Sequence, residues 1–360
     1  MARVYLHIGS PKTGTTYLQD VLAKNRTTLA SHGLLYPDTR YGTHFEAAID
    51  LTEHRWGGAI KQAGGQWEHI AKAARSAPDR AVISHEVLAA ATPKQVAAAR
   101  ESLGGGEIHI VLTARDLARQ IPAEWQETVK HRGRKSFARF MRDVRKGTPA
   151  TSDLWFWRVQ SLPDVLTRWG QGLPPSNVHV VTVPASGSDP GLLWQRYASV
   201  LGISPELSLE PGSRANASLG IAETKVVRLL NQRLRGRGIA RGVYADTVRE
   251  ILVHKAMAER TMSARATVAP DHRPWVNDIT AQWMDWLQAS GVNVVGDVND
   301  LVPKWDDAGA WIDPDQPDDE EVIDAAIAAL AELIADRGQS YRPTAMLRRG
   351  LGHLARRMRG

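Results

Sequence analysis

Two spacings of apolar residues alternate along the first half of this chain. Short unbroken apolar runs recur, each closed by a glycine, a proline or polar residues. They are Arg3–Ile8 before Gly9, Arg80–Ser84 before His85, Glu107–Thr113 before Ala114-Arg115-Asp116, and Asn177–Val183 before Pro184. Rich in β-branched residues, they predict strands. The most apolar of them, Ile108-His109-Ile110-Val111-Leu112, suits the middle of a parallel sheet. Between the runs, apolar residues return at the helical period: Tyr17, Leu18, Val21 and Leu22 within 17–36, then Trp67–Ala77, Leu117–His131 and Leu192–Leu201. Thr92-Pro93 reads as an N-cap and first helical residue, and Gly104-Gly105-Gly106 as the stop of that helix. Leu34-Leu35-Tyr36 and Val292–Gly296 add short extended pieces. Strands alternating with helices predict an α/β fold, a three-layer sandwich around a central parallel sheet of about five strands.

Beyond residue 130 the pattern is mostly helical. Ser136–Arg145 is basic and amphipathic, Asp153–Trp169 carries Trp155, Trp157 and Trp169 as core candidates, and Ile221–Arg235, Val243–Arg260 and Pro274–Ser290 follow. Nine acidic residues and no Lys or Arg fall between Asp306 and Asp324, which reads as a solvated connector. The helix Glu320–Arg337 comes next, then a tail, Arg342–Arg359, with six arginines and no acid. This divides the chain into an α/β domain, 1–300, and a C-terminal helical extension, 301–360, made of the acidic connector, extra helices and the basic tail. The mixed stretch Asp38–Gly65 reads as a surface lid, with His44 as a solvated loop histidine.

Composition narrows the chemistry. The chain has 360 residues and no cysteine, so disulfides, thiolate metal sites and cysteine nucleophiles are excluded. A basic region followed by an apolar core is missing from the N-terminus, and no apolar run is long enough to span a membrane, so a cytoplasmic protein is expected. The net charge of +6 suits anionic ligands but is modest for nucleic acid, which is not expected as a partner. The basic tail could lie on anionic lipid as a peripheral contact or fold back on the acidic stretch. Oligomeric state is not encoded in any motif.

The first strand runs into His7-Ile8-Gly9-Ser10-Pro11-Lys12-Thr13-Gly14-Thr15-Thr16 and then a helix. A glycine loop between a strand and a helix N-terminus is an anion cradle, because loop amides and helix dipole point at whatever sits in front. Gly9 and Gly14 keep the Gly-x4-Gly spacing of a Walker A loop, but Thr15 stands where that motif places lysine. Lys12, three residues upstream, is inside the loop. A γ-phosphate with Mg²⁺ is poorly served by this arrangement, and one compact anionic group is served well. Just after the strand at 80–84, His85 and Glu86 stand beyond its carboxyl end, where ligands of open parallel sheets bind.

Pro11-Lys12-Thr13-Gly14-Thr15-Thr16 resembles the 5′-phosphosulfate loop of sulfotransferases that use 3′-phosphoadenosine 5′-phosphosulfate (PAPS). The resemblance implies a P-loop NTPase-like fold, with these six residues as cofactor contacts and Lys12 also catalytic. It implies a general base at His85 or Glu86, both of which stay candidates, and an arginine at the third strand end holding the cofactor's 3′-phosphate, which Arg115 matches. The family's serine eight residues after that arginine is absent; Ala123 stands there, leaving Arg119, Gln120, Gln126 or Ser218 as substitutes. A late loop of this family closes over the 3′-phosphate, which makes Arg214, Asn216 and Ser218 further cofactor candidates. The function implied is transfer of a sulfuryl group from PAPS to a hydroxyl or amine of a small-molecule or glycan acceptor. Displacement is in line, 3′-phosphoadenosine 5′-phosphate (PAP) is the by-product, and no metal is implied. The alternatives are a P-loop kinase using a nucleoside triphosphate, with Asp116 as its Mg²⁺ carboxylate, and a catalytically inactive nucleotide-binding protein.

Overall fold

The structure is a computed structural model that describes residues 2–37, 42–53, 63–148, 154–213, 218–257, 263–305 and 310–340. The runs read as strands do form one sheet: β1 (Arg3–His7), β2 (Leu34–Leu35), β3 (Arg80–Ser84), β4 (Ile108–Ala114), β5 (Val178–Thr182) and β6 (Asn293–Val295). All neighbours are parallel, in the order β2-β3-β1-β4-β5-β6, so the sheet has six strands where about five were expected. His7 is level with Ser84 on one side and Val111 on the other, which brings the carboxyl ends of β1, β3 and β4 to one edge. The architecture is α/β with a P-loop-type strand, loop and helix at its centre.

Side-chain alternation along the strands fills both faces. Tyr5, Val82, Val111 and Val181 join Leu18, Leu22, Leu29, Tyr197 and Leu201 in one core, under the helices α1 (Thr15–Lys24), α2 (Arg26–Ser31) and Leu192–Val200. The residues between them, Leu6, Ile83, Ile110 and Val180, are just as buried, so helices cover the sheet on both sides. A polar ladder crosses the lower sheet. Asn293 Nδ2 donates to His179 Nδ1 at 2.8 Å, which leaves His179 Nε2 to donate to His109 Nδ1 at 2.8 Å, and His109 Nε2 faces Glu107 at 2.8 Å.

Several sequence readings shift. The helix read through 17–36 breaks at Asn25, whose amide donates to the Val21 and Glu210 carbonyls. Within the stretch read as a lid there is a helix, α3 (Thr43–Thr52), and His44 is buried on it rather than solvated. The tryptophan-rich segment is two helices, Trp155–Gln160 and Leu162–Gly170, with Trp157 and Trp169 fully buried. No helix among the described residues is long and apolar enough to cross a membrane.

By compactness the chain forms two units, and they do not divide at residue 300. The first comprises 1–124, 141–216 and 268–309, and holds the sheet; the second comprises 125–140, 217–267 and 310–360. In the second, the connector read as solvated contributes a fixed residue. Asp315 accepts the Phe137 and Ala138 amides at 2.9 Å each, capping the helix Phe137–Lys146. The helix Ile221–Arg233 and the π-helical Ala245–Met257 complete this unit together with Asp319–Ser340.

Candidate active site

The loop after β1 is shaped by three left-handed residues, Gly9 (φ 65°), Lys12 (φ 67°) and Gly14 (φ 85°). At two of them a Cβ would also meet a neighbour, the anchored Glu86 backbone and Cβ at Gly9 but only the movable end of the Leu193 side chain at Gly14. A Cβ on Gly9 would lie 2.7 Å from Glu86 Cβ, and one on Gly14 would lie 2.5 Å from Leu193 Cδ2. Lys12 adopts the same region with a side chain, which costs on the order of 1–2 kcal/mol. The residue capping α1 is Gly14, so no side chain competes for the helix's first amides.

Polar groups beneath the loop hold it. His7 Nδ1 bonds Ser84 Oγ at 2.7 Å and its Nε2 faces Thr113 Oγ1 at 3.4 Å; Thr113 in turn meets the Thr13 hydroxyl, which also bonds the Ser10 carbonyl. Ser10 Oγ donates to the Val159 carbonyl at 3.1 Å. The Pro11 carbonyl accepts from Gln120 Nε2 and from Gln160 Nε2, the latter at 3.0 Å. Gln120 Nε2 also donates to Gln160 Oε1, and Gln160 Nε2 to Glu124 Oε1, each at 3.0 Å. Gln120 Oε1 is buried and accepts no hydrogen bond. Nothing in the sequence pattern marked Gln160 or Glu124, because glutamine and glutamate on a helix read as surface residues.

Arg115, at the end of β4, reaches back with Nη1 3.4 Å from the Lys12 carbonyl, so these two expected cations share the loop. The substitutes considered for the missing serine are engaged elsewhere. Arg119 pairs with Asp116 and donates to the Pro184 carbonyl at 3.1 Å, Gln120 holds Pro11, and Gln126 donates to the Leu219 carbonyl at 2.7 Å within the second unit. Arg214 and Asn216 lie outside the described residues, and Ser218 is an exposed residue of the second unit.

At the end of β3, His85 and Glu86 differ in what they can accept. His85 Nδ1 accepts the Val87 amide at 3.2 Å, so the neutral ring carries its proton on Nε2. Burial pushes its pKa below the usual histidine value, against the pull of Glu86. The Glu86 side chain lies against Gly9 and Thr15 at the loop's mouth. Burial presses its pKa upward, but His85, its own backbone amide, Lys12 and the Thr15 hydroxyl outweigh that and hold it below the usual carboxylate range. Glu86 Oε2 is buried without a hydrogen bond, and His85 Nδ1 lies 3.8 Å from it. His44 supports this end of the strand. Its Nδ1 accepts the Ser84 amide at 3.2 Å, its Nε2 bonds the Pro37 carbonyl at 2.9 Å, and its ring stacks on Tyr36 at 4.2 Å.

The structure thus sets Glu86 against the loop at Gly9 and Thr15 and Arg115 against the loop's Lys12 carbonyl, with His85 beside Glu86. No protein-family model and no curated protein matches the chain. Among solved structures, it is similar to a sulfotransferase from Alicyclobacillus acidocaldarius, at 15% identity over 69% of this chain and 95% of that one, with a TM-score of 0.39. A likeness that distant leaves function to be argued from the site.

Proposed function

We propose that the protein is a PAPS-dependent sulfotransferase acting on a hydroxyl or amine of a small-molecule or glycan acceptor. The observation that carries this reading is the loop itself. It turns three times through the left-handed region, and its cation, Lys12, lies inside the turn instead of at the start of α1. Such a cradle fits one compact anionic group, and at Gly9 the absence of a Cβ lets Glu86 lie directly against it. PAPS supplies a sulfuryl group on a good leaving phosphate. In this reading Lys12 and the amides of Thr13 to Thr16 bind that phosphate and stabilise the charge that develops on it as the bridging S–O bond breaks. Arg115 is the proposed 3′-phosphate ligand, its planar fork suited to bidentate contact. Glu86 takes the acceptor's proton as the new S–O bond forms. It is favoured over His85 because its Oε2 lacks a partner, whereas His85 Nδ1 is already occupied by the Val87 amide.

The kinase alternative has lost its metal ligand. Asp116 is buried and spends both carboxylate oxygens on Arg119. Isothermal titration of PAP in the presence of EDTA tests the proposal. Micromolar binding is expected, weakened roughly 10- to 100-fold by Lys12→Ala and by Arg115→Ala, the range of a lost charge-assisted contact. Absence of PAP binding together with Mg²⁺-dependent ATP binding would overturn it.

A further inference from the structure

The last described helix, Asp319–Ser340, presents a face with no partner among the described residues. It buries Ala325 and Ala329 within the second unit. Four larger side chains stand in solvent: Ile323, Ile327, Leu330 and Ile334, exposed by 57%, 58%, 58% and 72%. Their spacing of four, three and four residues puts them in one stripe, the seam of a two-helix pairing. Exposed single apolar residues are ordinary, but an aligned row of four is an interaction surface.

The twenty residues that follow, 341–360, lie outside the described ones, and their sequence mirrors the stripe. Leu347, Leu351, Leu354 and Met358 repeat the four-three-four spacing. Pro343 suits the first turn of a helix, and Tyr341-Arg342 would make a two-residue connection, within the range of helical hairpins. Run antiparallel through that turn, Leu347 meets Ile334, Leu351 meets Leu330, Leu354 meets Ile327 and Met358 meets Ile323, all four in one register. Charge agrees. The helix carries Asp319, Glu320, Glu321, Asp324, Glu332 and Asp336 against Arg337 alone, while the tail has six arginines and no acid. We infer that residues 343–358 dock as an antiparallel helix on the Ile323–Ile334 stripe. Gly350 and Gly352 each cost about 1 kcal/mol of helix propensity, so this helix forms only by packing on its partner.

The absence of native cysteine makes the test direct. In the full chain, Leu330→Cys with Leu351→Cys is compared with Ile323→Cys with Leu347→Cys, which the same docking separates by about 16 Å along the axis. Under mild oxidation the first pair is expected to close an intramolecular disulfide about tenfold faster than the second, because docking raises its effective concentration. Equal rates, or disulfides between molecules, overturn the inference. As a cysteine-free check, Leu351→Asp is expected to speed amide exchange across 323–334 about tenfold, since a docked neighbour slows local opening; unchanged exchange overturns it. Phosphatidylglycerol vesicles are added in parallel. If they bind the tail and the first pair never outpaces the second, the tail belongs to a lipid surface and docking is refuted.

Discussion

Glu86 and His85 are neighbours in sequence with opposite proton economies. The carboxylate is held ionised by His85, Lys12 and Thr15, whereas the imidazole is kept neutral by burial with its acceptor nitrogen occupied. Glu86→Gln keeps the shape and removes the proposed base. It is expected to lower sulfuryl-transfer turnover by roughly 10²- to 10⁴-fold while PAP binds with little change. His85→Asn is expected to cost far less. Because the Glu86 pKa is lowered, its basic form persists as pH falls through 4.5, so wild-type turnover should hold across neutral and mildly acidic pH. Turnover assays on both variants decide the matter, and a His85→Asn enzyme as dead as Glu86→Gln would reverse the assignment. Gly9 belongs to the same argument, since only a residue without Cβ lets Glu86 approach the loop so closely.

At the scale of elements, the loop's shape depends on helices distant in sequence. Gln120 on the helix Leu117–Lys130 and Gln160 on the helix Trp155–Gln160 share the Pro11 carbonyl, and Glu124 orients Gln160. Gln160→Ala removes one donor from that carbonyl and opens a small polar void. A buried hydrogen bond is worth about 1 kcal/mol net, so PAP affinity is expected to fall roughly fivefold with the far-ultraviolet circular dichroism unchanged. An unaltered dissociation constant by titration calorimetry would show that the brace is dispensable. The strand ends and the loop were legible in the sequence because their signals are local: apolar runs, glycines at forced turns, a lysine out of the Walker position. The brace was not, since a buried glutamine and a surface glutamine look alike until a partner 109 or 149 residues away is in place. His44 was misread for the same reason: its partners, Ser84 and Pro37, give no periodic signal. The break at Asn25 was hidden because the apolar period runs on through it.

At the scale of the whole molecule, the sheet of the first unit buries histidines that the sequence reading treated only as members of apolar runs. Burial pushes His7 down to about 3, with Glu86 opposing and His85 assisting, and pushes His179 down to about 4, with His109 assisting. Both are therefore neutral in the folded chain, whereas in the unfolded chain each takes a proton near pH 6.5. Above that pH neither state is protonated and stability is at its full value. As pH falls below 6.5 the unfolded chain binds protons that the folded chain refuses, and stability drops until the folded values are reached. Between pH 7 and pH 5 each histidine should cost the fold about 2 kcal/mol. The carboxylate effects set in lower, since Glu86 and Glu107 are held below their ordinary value. Urea midpoints followed by tryptophan fluorescence are accordingly expected to fall on acidification from pH 7 to 5. His179→Asn should flatten that fall in part, whatever it costs at pH 7, because it deletes one of the histidines, with His7, His85, His254 and His272, whose pKa burial lowers. A variant whose midpoint drops as steeply as the wild type's would mean that His179 is protonated in the folded sheet, and its Nδ1 would then donate to the side-chain oxygen of a flipped Asn293 instead of accepting from Nδ2.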